Sequence, residues 1–317
     1  MEDLRLPVTD RAKATIGEIQ KVICGKDPVI LWTLTAILAG GHILLEDIPG
    51  VGKTTLAVAF SKAMGLSYKR VQFTPDVLPS DITGYSVPRG LEGKLEYRPG
   101  AVLCNLFLAD ELNRATSRTQ SALLEAMEEG QVTVDGVSHP VPQPFVVIAT
   151  QNPAGAAGTQ LLPDSQVDRF MIRLSLGYPD AKAEMQMLLN RQGKDPLASV
   201  EQVLKTEALQ EMQQLVAETF VSEEIARYVV ALIDATRRSE LLLRGASPRG
   251  TLAVTRMAKA YARLRGRDYL VPGDIREVFT VTLAHRVRRS PEAESQGYEE
   301  DRILKKIFAS VPAPELK

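Results

Sequence analysis

The chain has 317 residues, of which 44% are hydrophobic and 24% charged, and its formal net charge is −1. This length predicts one large domain or two modest ones, and the composition is typical of a globular protein in water. A nearly neutral chain has no overall field that attracts a polyanion, which argues against nucleic-acid binding as its main activity.

The sequence contains two cysteines and three histidines, which lie far apart along the chain. They form neither a disulfide framework nor a His/Cys zinc motif. The amino-terminal residues lack a signal-peptide pattern, and no apolar run reaches the roughly 18–20 residues of a membrane span. We therefore expect a cytoplasmic protein without a membrane span.

The first part of the chain alternates between helical and apolar stretches. Two helices are predicted over residues 8–24 and 27–39. Short apolar runs then predict five strands, at 42–46, 68–73, 105–109, 145–149 and 171–176. Strands that alternate with helices form parallel sheets covered by helices, so residues 1–180 are predicted to be an α/β domain.

The second part of the chain has helical periodicity and no evident strand run. Helices are predicted at 182–192, 206–218, 222–243, 248–264 and 272–285. We therefore expect residues 181–317 to form a smaller all-α domain.

The first predicted strand leads directly into a glycine-rich segment, PGVGKTT. Its glycines allow the backbone to turn amide groups toward an anion, and the following helix adds partial positive charge at its N-terminus. The segment therefore predicts a nucleotide-phosphate site, formed by Pro49, Gly50, Val51, Gly52, Lys53, Thr54 and Thr55.

Two side chains of this segment have expected roles in phosphate and metal binding. Lys53 is expected to reach the β- and γ-phosphates, and the Thr54 hydroxyl is expected to ligate Mg²⁺. The full phosphate-loop pattern begins with glycine, whereas this chain has Asp47 at that position. Aspartate accepts tight-turn backbone better than most residues, so the cradle is expected to form.

A second apolar strand ends in two adjacent carboxylates, Asp110 and Glu111, in the segment NLFLADELNRA. On a neighbouring strand, Asp110 is expected to bind Mg²⁺ through its water shell. Glu111 is then placed to polarise the attacking water as a general base. The alternative is that the two acids are ordinary surface residues, which the phosphate loop upstream disfavours.

A third strand, in FVVIATQNP, ends at Asn152. Polar residues at the carboxyl ends of parallel strands lie in the crevice where such sheets bind ligands. Asn152 is therefore a candidate to bind the γ-phosphate or to orient the water, although an Asn-Pro pair alone usually marks a turn.

Two arginines complete the candidate site. Arg169 precedes the last strand and is a candidate arginine finger for a neighbouring subunit, the alternative being a surface arginine paired with Asp168. Ser247 and Pro248 predict the N-cap and first position of a helix. Arg249 then lies in the first turn, where its positive charge is unfavourable next to the helix dipole. An anion such as a phosphate bound nearby would offset this cost. The alternative is a solvated arginine.

These segments, together with TQSALLEAMEEGQVTV and LPDSQVDRF, resemble a MoxR-type AAA+ ATPase of the helix-2-insert branch over roughly residues 20–285. The resemblance implies a P-loop NTPase fold, in which helices sandwich a parallel sheet and a smaller all-α lid follows. It implies ATP and Mg²⁺ as ligands and ATP hydrolysis as the activity.

The resemblance also implies a role for each motif residue. Lys53 and Thr54 match Walker A, and Asp110 and Glu111 match Walker B. Asn152 matches sensor 1, Arg169 the arginine finger, Arg249 sensor 2, and Ile23 and Gly25 the segment that contacts adenine.

Two further segments match elements that project toward the pore or the partner in this family. Residues 83–100 resemble the insert in the second helix, and residues 130–145 resemble the hairpin before sensor 1. Asp135-Gly136 in the latter is a type I′ turn signal, and Ser117 with Gln120 predicts a capping box on the preceding helix. The alternative is two ordinary surface hairpins.

Three functions are compatible with these motifs. The first is an ATP-driven remodeller that acts as a homo-oligomeric ring, a hexamer by resemblance, on a protein client such as one with a von Willebrand factor A domain. The second is a nucleic-acid motor, which the absence of a basic appended module disfavours. The third is a nucleotide-gated scaffold with little turnover, which Glu111 and Arg169 argue against.

Overall fold

A computed structural model describes residues 8–89, 94–152, 161–190 and 195–315. Its strands are β1 (Ile43–Glu46), β2 (Tyr68–Gln72), β3 (Gly84–Arg89), β4 (Lys94–Pro99), β5 (Leu106–Asp110), β6 (Gln131–Val134), β7 (Val137–Pro140), β8 (Val146–Gln151), β9 (Ile172–Leu174), β10 (Leu242–Arg244) and β11 (Arg288–Arg289).

Helices surround and follow these strands. They are α1 (Val8–Gln20), α2 (Asp27–Leu38), α3 (Lys53–Ala63), α4 (Pro79–Thr83), α5 (Ser117–Glu129), α6 (Asp164–Val167), α7 (Ala181–Asn190), α8 (Thr206–Ala217), α9 (Glu223–Arg238), α10 (Pro248–Leu264), α11 (Pro272–Leu283), α12 (Pro291–Ser295) and α13 (Glu300–Ser310).

The central sheet has five parallel strands in the order β2-β5-β8-β1-β9. All five strands predicted from the apolar runs are present, and their ends differ from the predicted ones by at most two residues. Because the strands are parallel, the segments after β1, β5 and β8 all leave from the same edge of the sheet, which positions the candidate site.

Alternate strand residues face two separate cores. Ile43 and Leu45 of β1 pack with α1, α2 and α3, whereas Leu44 packs with α5 on the opposite face. Both faces of the sheet are therefore covered over β1, β5 and β8, which explains why these inner strands are mostly apolar. The edge strand β2 is largely exposed and polar.

The C-terminal part is predominantly helical. Helices α10 and α11 pack against each other, and α10 also packs against α1, α2 and α8. Buried Met257 and Val278 of this part belong to the same core as Ile43. The hydrophobic core on one face of the sheet therefore continues into the C-terminal helices.

The prediction of no strands after residue 181 was wrong, because β10 and β11 form a short antiparallel pair. The helix predicted over 222–243 ends at Arg238. After β10 the chain passes so close to the end of α9 that a Cβ on Gly245 would lie 2.6 Å from the backbone of Arg237, so this position requires glycine. Strands of two and three residues are too short to leave a period in the sequence.

Two hairpins extend from the α/β part. In the turn between β6 and β7, Asp135 and Gly136 have φ angles of +50° and +77°, so the predicted turn is confirmed. The β3–β4 hairpin occupies the predicted insert, although its residues 90–93 lie outside the described ranges. Tyr97 of β4 stacks on His139 of β7 with ring centroids 3.6 Å apart, which joins the two hairpins.

The predicted capping box on α5 was wrong by one residue. Thr116 is the N-cap, and its hydroxyl accepts a hydrogen bond from the Thr119 amide. Gln120 instead donates to the carbonyl groups of Leu112 and Ala115. Two capping residues adjacent in sequence, Thr116 and Ser117, make the start of this helix ambiguous by one position.

Within the described ranges, every helix is too short or too polar to cross a membrane.

Candidate active site

The phosphate loop lies between β1 and α3. Gly50 and Gly52 have φ angles of +87° and +101°, in the left-handed region that favours glycine. A Cβ at either position would meet nothing within 4 Å, so these glycines are required by the backbone conformation and not by space. Gly52 is the N-cap of α3 and no side chain caps the helix, which leaves its N-terminus open to an anion.

Lys53 hydrogen-bonds to the backbone of the loop itself. Its Nζ donates to the carbonyl oxygens of Asp47 and Ile48, at 2.6 and 3.1 Å. Burial lowers the pKa of Lys53, while the carboxylates of Asp47, Asp110 and Glu111 act in the opposite direction. The amine is therefore stored beside the loop, close to the place that phosphates would occupy.

Asp47 replaces the first glycine of the motif and has a structural use there. Its carboxylate accepts hydrogen bonds from Ser175 Oγ at 3.1 Å, from the Gly177 amide at 3.2 Å and from the Leu176 amide. The backbone of Asp47 does not adopt a positive φ, so glycine is not needed. Asp47 thus ties the phosphate loop to the segment that follows β9.

A pocket of about 360 Å³ opens above the loop. It brings together residues from four segments, namely Pro49, Gly50, Gly52, Lys53, Thr54, Thr55, Arg70, Gln72, Asp110, Glu111 and Asn152. Val51 does not line it and packs against the core instead. All but one of the predicted phosphate-loop residues therefore face the same pocket as the two carboxylates and Asn152.

Asp110 has the environment expected of a metal-binding carboxylate. Its Oδ1 accepts a hydrogen bond from Thr150 Oγ1 at 2.7 Å, which fixes the orientation of the group. A hydroxyl and a carboxylate in one pocket suit Mg²⁺, which prefers oxygen ligands and retains several waters. The Thr54 hydroxyl and Asp110 therefore fit the ion.

Arg70 is a site residue that the motif analysis missed. From β2, its Nη2 and Nε donate to Asp110 Oδ2 at 2.6 and 3.1 Å. A cation bound at Asp110 would compete with this arginine. The signal was present in the sequence, because Arg70 and Gln72 are polar residues near the carboxyl end of a strand that pairs with β5.

Glu111 adopts a left-handed conformation with φ of +56°, which is unusual for a residue other than glycine. Its amide donates to Thr150 Oγ1, and its carboxylate accepts from Arg114 at 2.8 Å and from Asn152 Nδ2 at 3.2 Å. The hydrogen bond from Arg114, with a smaller contribution from Asn152, lowers the pKa of Glu111. Glu111 is therefore ionised at neutral pH, as a general base requires.

Arg169 and Arg249 lie in a different pocket of about 320 Å³ and do not line the phosphate pocket. Both are ion-paired with Glu128, Arg169 through Nε at 3.1 Å and Arg249 through Nη2. The alternative reading of Arg169, a pair with Asp168, was wrong, because Asp168 binds Arg286 and Ser247. The structure thus brings the two arginines together but separates them from the phosphate loop of the same chain.

The segment expected to contact adenine is partly buried. Ile23 packs in the core, and Gly25 has φ of +68° with Ala183 of α7 so close that a Cβ would lie 2.9 Å away. A small pocket beside Thr55 is lined by Val22, Cys24, Met187 and Asn190. The adenine role of Ile23 and Gly25 stays a prediction, since their side of the segment faces the protein.

Comparisons with known families agree with this geometry. A family model described as "ATPase family associated with various cellular activities (AAA)" matches residues 42–172, which contain the phosphate loop, both carboxylates, Asn152 and Arg169. A second model, "AAA lid domain", matches residues 234–307 and contains Arg249.

Individual proteins are similar over nearly the whole chain. Protein YeaC of Bacillus subtilis is 42% identical, with 99% of this chain and 97% of that protein covered. "Chaperone MoxR1" of Mycobacterium tuberculosis is 36% identical, with 95% of this chain and 82% of that protein covered. The crystal structure of a candidate ATPase from Cytophaga hutchinsonii is 36% identical and superposes with a TM-score of 0.87, covering 97% of this chain and 96% of that one.

Because the matched relatives cover both the sheet with its phosphate loop and the helical lid, this chain belongs to the MoxR family of AAA+ ATPases, which bind and hydrolyse ATP.

Proposed function

We propose that the chain hydrolyses Mg²⁺-ATP at the interfaces between copies of itself in a closed ring, and that the resulting motion remodels protein complexes. One observation carries this proposal: the phosphate pocket contains the loop, Asp110, Glu111 and Asn152, whereas Arg169 and Arg249 lie in another pocket. The two halves complete one site only if the arginines of one subunit reach the phosphates of the next.

Such an interface joins two different surfaces of the same protein. Repeated head-to-tail contacts form a ring when the rotation closes, so the proposed site also supports a cyclic assembly. The family resemblance favours a hexamer. Division of the chain near residue 180, between the α/β part and the helical lid, supplies the two bodies that would move during the cycle.

Each residue has a step in the proposed reaction. Phosphates bind the amides of the loop, and Lys53 leaves the carbonyl groups of Asp47 and Ile48 to contact them. Thr54 and Asp110 would ligate Mg²⁺, which neutralises charge between the phosphates. Asn152 donates a hydrogen bond to Glu111. In the proposed reaction Asn152 orients the attacking water, and Glu111 accepts the proton of that water. The neighbour's Arg169 and Arg249 stabilise the charge that develops on the transferred phosphoryl group.

A protein client is the proposed target of the motion. The name of the relative "Chaperone MoxR1" supports work on other proteins, and the family resemblance supports a client with a von Willebrand factor A domain. The two stacked hairpins expose Tyr85, Leu95 and Val137, which are apolar enough to contact a protein surface. We propose that this activity takes place in the cytoplasm, and the nearly neutral net charge argues against nucleic acid as the main target.

Mixing two inactive variants tests the shared site. Lys53→Ala removes the phosphate contact of a subunit's own site, and Arg169→Ala removes what that subunit supplies to its neighbour. Each variant alone is expected to lose hydrolysis. In an equal mixture, about a quarter of random interfaces pair an intact loop with an intact arginine, so phosphate release is expected to reappear.

The control is Arg227→Ala, which removes an exposed arginine of a helical pair on α9 and is expected to behave as wild type. If the mixture stays inactive although light scattering shows that the two variants co-assemble, the proposal of a site shared between subunits is refuted.

A further inference from the structure

One carboxylate connects both arginines of the second pocket. Glu128 lies in the last turn of α5, and its Oε1 contacts Arg169 Nε at 3.1 Å and Arg249 Nη2. The side chains of Glu128, Arg169 and Arg249 are 33%, 29% and 50% exposed, so the cluster is reachable from outside the subunit.

The cluster combines parts of the molecule that are distant in sequence. Glu128 belongs to α5 of the α/β part, Arg169 to the turn between α6 and β9, and Arg249 to the first turn of α10 in the lid. The contact to Arg249 therefore exists only in a lid orientation that brings the start of α10 against the end of α5.

The cluster retains capacity for an anion. Besides Glu128, the pocket contains one acid, Asp168, and four arginines, Arg169, Arg249, Arg256 and Arg286. Two positive charges are thus in excess. In addition, the Nε–H of Arg169 is buried and has no hydrogen-bond partner in the described part of the chain, although Glu128 Oε1 lies 3.1 Å away.

We propose that Glu128 is a positioning residue for ATP hydrolysis in the neighbouring subunit. It offsets the repulsion between Arg169 and Arg249, keeps the two guanidinium groups side by side, and so presents them as one unit to the neighbour's phosphates. This inference rests on the proposed shared site, which it deepens by naming the residue that sets the arginine geometry.

Side-chain entropy and charge both favour a positioning role for Glu128 over an inhibitory one. A long arginine side chain has many rotamers, and ordering two of them before the reaction removes that cost from the chemical step. A carboxylate shared by two arginines leaves one net positive charge on the cluster. The cluster can therefore still attract phosphate. A carboxylate that neutralised a single arginine would instead leave no net charge to attract phosphate.

The test compares Glu128→Gln with Glu129→Gln, which removes an adjacent exposed carboxylate of the same helix. Glu128→Gln is expected to lower kcat about tenfold or more, with little change in the affinity for a fluorescent ATP analogue, because the subunit's own phosphate loop is untouched. Glu129→Gln is expected to match wild type. An unchanged or increased kcat for Glu128→Gln, in protein that melts at the wild-type temperature, would overturn the proposal.

Two further measurements distinguish positioning from a general structural effect. Glu128→Gln subunits mixed with Lys53→Ala subunits are expected to regain hydrolysis, because intact arginine clusters then face intact loops. The double variant Glu128→Gln/Arg169→Ala is expected to lose less activity than the product of the two single losses, since Glu128 acts partly through Arg169. Absence of rescue, or multiplied losses, would contradict positioning.

The inference and the proposed function can fail separately. If mixtures of Lys53→Ala and Arg169→Ala subunits are active but Glu128→Gln behaves as wild type, only the role of Glu128 is wrong. If those mixtures stay inactive, the shared site itself is wrong, and the role of Glu128 is refuted with it.

Discussion

Glu111 combines a rare backbone conformation with a fully hydrogen-bonded side chain. A left-handed conformation costs roughly 1–2 kcal/mol for a residue with a Cβ, so it persists only where the surroundings fix it. Here the Thr150 hydroxyl accepts from the Glu111 amide and also donates to Asp110. The Thr150 side chain therefore connects the Asp110 carboxylate to the backbone of Glu111.

The Glu111→Gln variant tests the proposed base. Glutamine is similar in size but cannot accept a proton from water at neutral pH. We expect ATP binding close to wild type and phosphate release lower by at least about 100-fold, measured under saturating ATP. Glu125→Gln, an exposed change on α5, is the control. Near-normal turnover in the Glu111 variant would exclude this residue as the base.

A substitution at Asp47 tests stability. Glycine is the residue of the phosphate-loop motif at this position, yet we expect Asp47→Gly to destabilise the fold. Asp47→Gly would leave the Leu176 and Gly177 amides without their acceptor, which costs about 1–3 kcal/mol of unfolding free energy. The measurement is urea unfolding of the variant and the wild type.

Asp135→Gly is a matched control for that substitution. Asp135 is exposed and already has φ of +50°, so glycine should change stability by less than about 0.5 kcal/mol. An Asp47→Gly variant as stable as wild type would show that the ties to the segment after β9 contribute little.

Site residues were predictable to the extent that they lie in local motifs. Lys53, Asp110, Glu111 and Asn152 each follow an apolar strand, and parallel pairing of those strands alone brings them to one edge. Glu128 could not be found in this way, because its two arginine partners are far away in sequence and meet it only after the lid has packed. The same holds for Asp168, whose partner proved to be Arg286 and not the adjacent arginine.

At the scale of elements, His42 joins three of them. It precedes β1, its Nδ1 accepts from the Val147 amide of β8 at 3.0 Å, and its Nε2 donates to the Met127 carbonyl of α5 at 3.1 Å. Both ring nitrogens are used by the neutral form. Burial has the largest effect on the pKa of His42 and, against the smaller opposite effect of the hydrogen bond to Met127, the pKa is lowered to about 4.

This environment predicts a loss of stability on mild acidification. The pKa of His42 is lower in the folded chain than the ordinary value of 6.5, so the unfolded chain binds the proton first. The contribution of neutral His42 is full above about pH 6.5 and is lost as the pH falls toward 4, with a slope of at most about 1.4 kcal/mol per pH unit.

Urea unfolding from pH 7 to 4.5 measures this slope. His42→Gln, which keeps a donor and an acceptor but does not titrate, is expected to have a shallower dependence. His285 is also buried, its pKa is lowered as well, and it is unchanged in the variant, so part of the slope should remain. Identical slopes in the variant and the wild type would contradict the assignment to His42.

The elements themselves were predicted from apolar runs and helical periods, and the errors have local causes. The helix over 222–243 was extended too far because Leu241 to Leu243 continue its apolar pattern, although they enter β10. Nothing in the local sequence reports that β11, which is only two residues long, supplies the partner strand.

At the scale of the whole molecule, the chain has two separate candidate surfaces for the proposed shared site. The phosphate pocket lies at the carboxyl edge of the sheet, and the arginine cluster lies where α5, β9 and the lid meet. Lid movement would shift Arg249 relative to Glu128 and Arg169. In the proposed ring, a movement of one subunit's lid would therefore change hydrolysis at its neighbour's loop.

The most direct test of the site between subunits is ATP hydrolysis measured against protein concentration, with size followed by light scattering, with and without added DNA. We predict that activity per subunit rises as larger assemblies form and that DNA does not change it. Constant activity per subunit in a range where scattering reports only monomers would contradict a shared site, and strong stimulation by DNA would contradict a protein client.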